Sequence, residues 1–309
     1  MAIFNNNQLR ALFAWLCLFL VIHYLYKKSP SLESVAETQV TKVKPHGFDA
    51  VVYIALGSVT TDPMVDLSVE SVRKVGKYSG SIYVVTDRPT CFADLVSKFD
   101  VTLITTTPRD SIIKIKALKP DIFSFLPAHI EDVLYIDIDI LVTRELSSFI
   151  RDSTASVATI KSIAAIAPVV KKHDGNSSIE RDQFHYDLGA FFDAKGHYVG
   201  FCSGCEKWHT GILLMHRSHG RECLKAWKEI LLSGKYDTDQ ESLDEAERVG
   251  KCKYIINFPP RHLLFAKDYI GWILTSGHTF VHLTAAARID TQVSIITFCA
   301  PDMFSCELN

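Results

Sequence analysis

Asp137 and Asp139 stand two residues apart after an apolar run, in VLYIDIDILV. Two carboxylates emerging together from a buried segment repel one another unless solvent or a cation comes between them. Carboxylate oxygens suit a hard divalent ion such as Mg²⁺ or Mn²⁺. Such an ion holds a diphosphate and neutralises it as a leaving group. The plainer alternative is a strand end with two solvated aspartates. Other side chains able to join such chemistry lie far away in sequence. His282 ends the apolar run TFVHLT, six residues before Arg288. A histidine there is either a satisfied structural residue or a metal ligand, with His278, four residues earlier and expected on the same strand face, as the fallback ligand. Lys119 is either surface charge or a cation of the site, a place for which Lys114 and Lys116 compete. Asp239 and Gln240 open a polar helix, where an acidic residue can equally serve as a cap or favour the helix dipole. His209 reads as a packed core histidine or as a further residue of the site.

The elements that must position these residues are legible from residue 49 onward. DAVVYIAL (49–56), SIYVVTD (81–87), VTLITT (101–106) and DVLYIDIDILV (132–142) read as buried strands. Within the last, Asp137 and Asp139 would share one strand face. VDLSVESVRKVG (65–76) and CFADLVSKF (91–99) have helical spacing, and so does KIKALKPDIFSFL (114–126), which Pro120 interrupts. Buried strands separated by helices predict a mostly parallel sheet covered on both faces. The second half is less regular. It offers strands at 210–216, 253–258 and 279–284, a helix at 222–233, and an acidic helix after YDTDQ. In open sheets of this class, ligands collect outside the carboxyl ends of the strands.

YIDIDILV, after a mostly apolar stretch ending in LP, resembles the D-x-D signature of GT-A glycosyltransferases, most closely the family 8 type that includes glycogenin and bacterial galactosyltransferases. Further segments resemble that family in the same order. KPDIFSFLP places Lys119 as the family's basic residue, and WHTGILLMHR (208–217) is similar to its F-N-[AS]-G strand. YDTDQESL (236–243) is similar to its D-Q segment and HLTAAAR (282–288) to its H-F-x-G-x-x-K. The resemblance covers roughly 49–290. It implies a GT-A, Rossmann-like α/β fold. It also implies Asp137, Asp139 and His282 as ligands of Mn²⁺ or Mg²⁺, with Asp137 touching the donor ribose. Lys119, His209 and Arg288 would bind the nucleotide-sugar donor, Arg288 at its diphosphate. Asp239 and Gln240 would lie beneath the anomeric carbon. The implied reaction is retaining transfer from a UDP-sugar to a glycan, protein or lipid acceptor. This chain departs from the pattern at His209 (usually Asn), Ala285 (usually Gly) and Arg288 (usually Lys), and an aromatic that stacks on the base is not evident after Gly57.

The chain has 309 residues, 48% of them hydrophobic, with formal net charge -2. No basic run gives it a bulk attraction for nucleic acid. Part of its positive mean hydropathy of +0.12 sits in ALFAWLCLFLVIHYLY, residues 11–26, which carry no formal charge. As a helix that stretch reaches about 24 Å, slightly short of a hydrocarbon core. A signal-anchor reading competes with a cleaved signal and a buried helix; Tyr, Leu, Tyr, Lys and Lys after the run lack the small residues a cleavage site wants. The expected organisation is a cytoplasmic tail (1–10), a transmembrane anchor (11–26), a polar stem (27–48) and one catalytic domain (49–309). That makes a single-pass type II protein of the Golgi or ER membrane, with its catalytic domain lumenal. In an oxidising lumen some of the eight cysteines should pair. CSGC (202–205) reads as a disulfide, as buried thiols or as half of a zinc site, and Asn176 lies in the one N-x-[ST] sequon. Two other functions use comparable residues. A haloacid-dehalogenase-type phosphatase also carries D-x-D after an apolar strand, but it prefers Thr or Val where Leu141 stands. A non-catalytic lumenal binding protein could keep the same fold.

Overall fold

The computed structural model describes residues 47–153, 186–193, 207–266 and 277–283. The proposed anchor, residues 27–46 of the proposed stem, Asn176, Cys202, Cys205, Ala285 and Arg288 lie outside the described residues. Among the described residues no helix is long and apolar enough to cross a membrane.

The first half alternates as its sequence predicts. Strands β1 (Ala50–Ala55), β2 (Ser81–Thr86), β3 (Val101–Thr105) and β4 (Asp132–Ile136) are separated by helices α1 (Pro63–Lys74), α2 (Ala93–Phe99) and α3 (Ile112–Lys116). Pro63 opens α1, where its missing N–H costs nothing, and the Asp62 side chain accepts from the Met64 N–H. Pro120 stops the helical spacing at 114–126, so α3 is short and a 3₁₀ turn, Ile122–Ser124, follows. After a short strand β5 (Ile140–Val142) and helical residues 146–153 (α4), the second half supplies β6 (Leu188–Asp193) and β7 (Lys207–His216). It continues with α5 (Arg221–Leu232), α6 (Asp239–Arg248), β8 (Ile255–Asn257), β9 (Leu263–Ala266) and β10 (Phe280–Leu283).

The main sheet has the order β3-β2-β1-β4-β7-β6-β8, and a small second sheet runs β5-β10-β9. β1, β2, β3 and β4 are parallel, but β7 runs antiparallel to both β4 and β6. The sheet is therefore mixed rather than uniformly parallel. The strand order reverses at β1, with β2 and β3 on one side and β4 on the other, which makes the carboxyl ends of β1 and β4 a switch point. β1 is buried on both faces: Val51, Tyr53 and Ala55 join the core under α1 and α2, while Ala50, Val52 and Ile54 join the core under α5 and α6.

Two expectations are corrected here. The segment 132–142 is not one strand. β4 ends at Ile136 and β5 starts at Ile140 in the other sheet, so Asp137, Ile138 and Asp139 form the turn between sheets. The two aspartates therefore do not share a strand face. The turn is closed by the Ile140 N–H donating to the Asp137 carbonyl at 3.1 Å. His278 does not lie on the strand face of His282, because β10 begins at Phe280; its carbonyl accepts from Thr143 Oγ1 instead. The strands β6 and β9 were not apparent in the sequence, being short and bordered by irregular composition.

Candidate active site

Pairing in both sheets brings the chemistry-bearing residues to the end of β4. β4 runs against β7 up to Ile136 opposite Ile212, and the Asp137 N–H then donates to the Gly211 carbonyl at 2.7 Å. That register sets His209 and Thr210 beside the acidic turn. On the other side β5 pairs with β10, placing His282 opposite Ile140, and the Leu283 N–H donates to the Asp139 carbonyl at 2.8 Å. His282 Nε2 consequently lies 3.5 Å from Asp139 Oδ2. Its Nδ1 lies 3.4 Å from Nε2 of His209. Gly211 is needed for this approach: a Cβ there would stand 2.8 Å from His209 Cε1 and 3.0 Å from Asp137 Oδ2.

Lys119 occupies the centre. Its ammonium is buried and donates to Asp137 Oδ2 at 3.0 Å, Asp239 Oδ2 at 2.8 Å and the Thr210 carbonyl at 3.2 Å. It also sits 5.2 Å from the ring centroid of Tyr135, whose hydroxyl donates to Asp137 Oδ1. Lys116, one turn earlier, pairs with Asp239 Oδ1 at 3.1 Å. Lys114 is excluded from the cluster by its exposed pair with Asp110. Asp239 is buried at the first position of α6, and Thr210 Oγ1 donates to it at 2.7 Å. It is not the helix cap. Thr238 is, accepting from the Glu241 N–H at 3.1 Å. Trp227 holds that end of the helix by donating from Nε1 to the Asp239 carbonyl at 2.9 Å. Gln240 is half-buried beside Asp239, and no hydrogen bond ties it to the cluster among the described residues.

These contacts divide the titrations. Burial alone would push Asp239 up, but Lys119 and Lys116 outweigh it and hold the carboxyl well below its ordinary range. Burial would lower Lys119, but Asp137 and Asp239 hold it protonated. Asp137 goes the other way: burial raises it, Lys119 opposes, and Asp139 and Asp239 add to the rise. Burial also raises Asp139, but its hydrogen bond with His282 wins and its carboxyl lies below the usual value. His209 is kept neutral chiefly by burial, then by His282 and Lys119. The result is one cluster in which buried Asp239, Lys119 and neutral His209 back the half-buried Asp137, Asp139 and Lys116.

The donor chemistry of Asp137, Asp139 and His282 fits a hard divalent ion. Asp139 and His282 already face each other, while one oxygen of Asp137 is taken by Lys119. Among the described residues no three such side chains stand close enough to form a ready ion cage. Sequence reasoning missed Tyr135 and Thr210 as members of the cluster and named Lys116 only as a competitor of Lys119, whereas the structure brings both lysines to Asp239. Tyr135 lies two residues before Asp137 and Thr210 directly follows His209, the trace they leave in sequence.

No protein-family model and no curated protein matches the chain. Among solved structures it is similar to the galactosyltransferase LgtC in complex with donor and acceptor sugar analogs, at 13% identity and a TM-score of 0.49, covering 82% of this chain and 98% of that one. It is also similar to mouse xyloside xylosyltransferase 1 in its apo form, at 9% identity and a TM-score of 0.46, covering 77% and 98%. The glycosyltransferase GlyE of Streptococcus pneumoniae TIGR4 aligns at 15% identity and a TM-score of 0.44, covering 75% of this chain and 54% of that one. Likeness this distant carries no argument about activity, so the functional reading rests on the side chains themselves.

Proposed function

We propose that the chain is a metal-assisted glycosyltransferase that moves a sugar, with retention, from a nucleotide-diphosphate donor to an acceptor hydroxyl. The observation that carries this reading is the convergence of Asp137, Asp139, Lys119, Asp239, His209 and His282 from separate elements at the carboxyl end of β4. Asp137, Asp139 and His282 would hold Mn²⁺ or Mg²⁺, which when bound neutralises the diphosphate leaving group. Arg288 is proposed to add a cation to that diphosphate. Lys119 stays protonated with its three N–H groups committed to Asp137, Asp239 and the Thr210 carbonyl, so its part is to fix the two carboxylates toward the donor, not to accept a proton. Asp239 stays ionised, so it offers negative charge rather than a proton. Beneath an anomeric carbon that becomes cationic as the leaving group departs, such charge stabilises the transition state. Gln240, next on α6, is proposed to contact the sugar from the same side.

The phosphatase alternative is disfavoured by position. The D-x-D follows the fourth strand of the sheet rather than opening the domain. The donor is proposed to be a UDP-sugar, and the site lumenal, with 11–26 as membrane anchor in the Golgi or ER. The disulfide between Cys223 and Cys252 supports an oxidising compartment. The test is transfer or hydrolysis of UDP-sugars by the purified full chain and by Asp137→Ala/Asp139→Ala. We expect Mn²⁺-dependent turnover that falls by at least about a hundredfold in the double variant while its circular dichroism spectrum shows the fold retained. Phosphomonoester hydrolysis with Mg²⁺ in place of turnover would overturn the reading.

A further inference from the structure

A cavity of about 320 Å³ opens between the turn after Lys119 and the first half of α5. Four cationic side chains line it, Arg217, Arg221, Lys225 and Lys228, against the single carboxylate of Asp121. On a chain of net charge -2 this is a local excess of three positive charges, four less one. Three of the cations sit at i, i+4 and i+7 on α5 and so share one helix face.

Their partners differ. Lys228 pairs with Asp121 at 2.8 Å. Arg217 is fixed by neutral acceptors alone. It donates to the carbonyls of Ile130 at 2.7 Å, Phe123 at 3.0 Å, Leu126 at 3.2 Å and Pro127 at 2.7 Å, with its guanidinium 4.9 Å from the Phe123 ring centroid. Its charge is immobilised but not neutralised. Arg221 and Lys225 are exposed and have neither a hydrogen-bond nor an ion-pair partner among the described residues. Like charges at i and i+4 repel, and Glu222 and Glu229, three residues before and four after Lys225, offset part of that repulsion. Neither carboxylate lines the cavity, so within it the four cations face Asp121 alone. An oxyanion seated here would complete the neutralisation. Phe123 and Leu224 in the wall add apolar surface for an organic body attached to it.

We propose that this cavity binds an organic phosphomonoester, its phosphoryl oxygens bonded by Arg221 and Lys225 and its body against Phe123 and Leu224. The site is separate from the acidic cluster and does not depend on the reading of that cluster. Calorimetric titration of the full chain in detergent, with EDTA present, uses glucose 6-phosphate as probe and glucose as control. Binding of the phosphate alone is expected, weakened about tenfold in Arg221→Ser/Lys225→Ser, with the melting temperature unchanged because both side chains are exposed. A second arm measures flotation with phosphatidylcholine vesicles carrying phosphatidic acid. A loss of flotation in the double variant would make a lipid headgroup the source of the phosphate, whereas a loss confined to glucose 6-phosphate would make it soluble. Equal binding by wild type and double variant in both arms, or none by wild type, overturns the proposal.

Discussion

Lys119 decides the electrostatics of the cluster. Its ammonium is the only buried cation shared by Asp137 and Asp239 among the described residues. Removing one partner of a buried ion pair leaves an uncompensated charge, which typically costs about 3–5 kcal/mol. Lys119→Met should therefore lower unfolding free energy by roughly that amount in urea titrations, and should abolish turnover. A loss under about 1 kcal/mol, the size of an exposed pair, would mean that Lys116 and Thr210 suffice to neutralise Asp239. His209 is the residue where this chain differs most visibly from the resembling family. The structure shows it as a buried ring packed 5.5 Å from Phe265 and a direct neighbour of His282. A partner on the far nitrogen of a proposed ligand imidazole fixes its tautomer.

At the scale of elements, the site depends on two strand pairings meeting at one turn. Gly211 lets β7 pass close to Asp137 and His209, and Gly211→Ala forces a contact with Ile140 Cδ1 at 3.0 Å as well. Overpacking of this kind costs about 1–3 kcal/mol, so the variant should melt earlier and lose most of its activity. An active Gly211→Ala of unchanged melting temperature would show that the register at the end of β4 is not what holds the site. The first four strands and their helices were legible because each carries its own pattern: β1 is apolar on both faces, and α1 has its Asp62 cap and Pro63. The break after Ile136 was not legible. The apolar alternation of Ile138 and Ile140 continues across it, and only the distant partner strands β7 and β10 decide that the chain changes sheet there. Asp239 looked like a helix cap for a similar reason. Its burial against Lys116 and Lys119 is set by long-range packing of α6 on β7, not by its neighbours in sequence.

For the whole molecule, pH links these groups to stability. Asp239 titrates lower folded than unfolded, so its contribution is present above the ordinary carboxylate range and is lost as pH falls through its folded value. Asp244 has the opposite sign. Burial raises its carboxyl to about 6 from 3.8, even though it accepts from the Trp208 N–H. The folded state then binds the proton more tightly, and stability should fall as pH rises from about 4 to about 6. Asp244→Asn keeps the acceptor and removes the titration. Its advantage over wild type should grow across that window to about 1 kcal/mol after allowing for solvent screening, measured by thermal melts from pH 4 to pH 7. A constant difference across the window would remove Asp244 from the account.

The central claim is that the acidic turn after β4, together with His282, Lys119 and Asp239, forms a metal-assisted nucleotide-sugar site. A ligand that binds only the folded state raises the melting temperature by mass action. The most direct measurement is a thermal-shift panel of nucleotide sugars on the full chain, with Mn²⁺ and with EDTA, run in parallel on Asp137→Asn/Asp139→Asn. At least one UDP-sugar should stabilise the wild type in a way that requires Mn²⁺ and vanishes in the double variant. A panel in which no nucleotide sugar shifts the wild type, or in which the shift survives both EDTA and the substitutions, would contradict the claim.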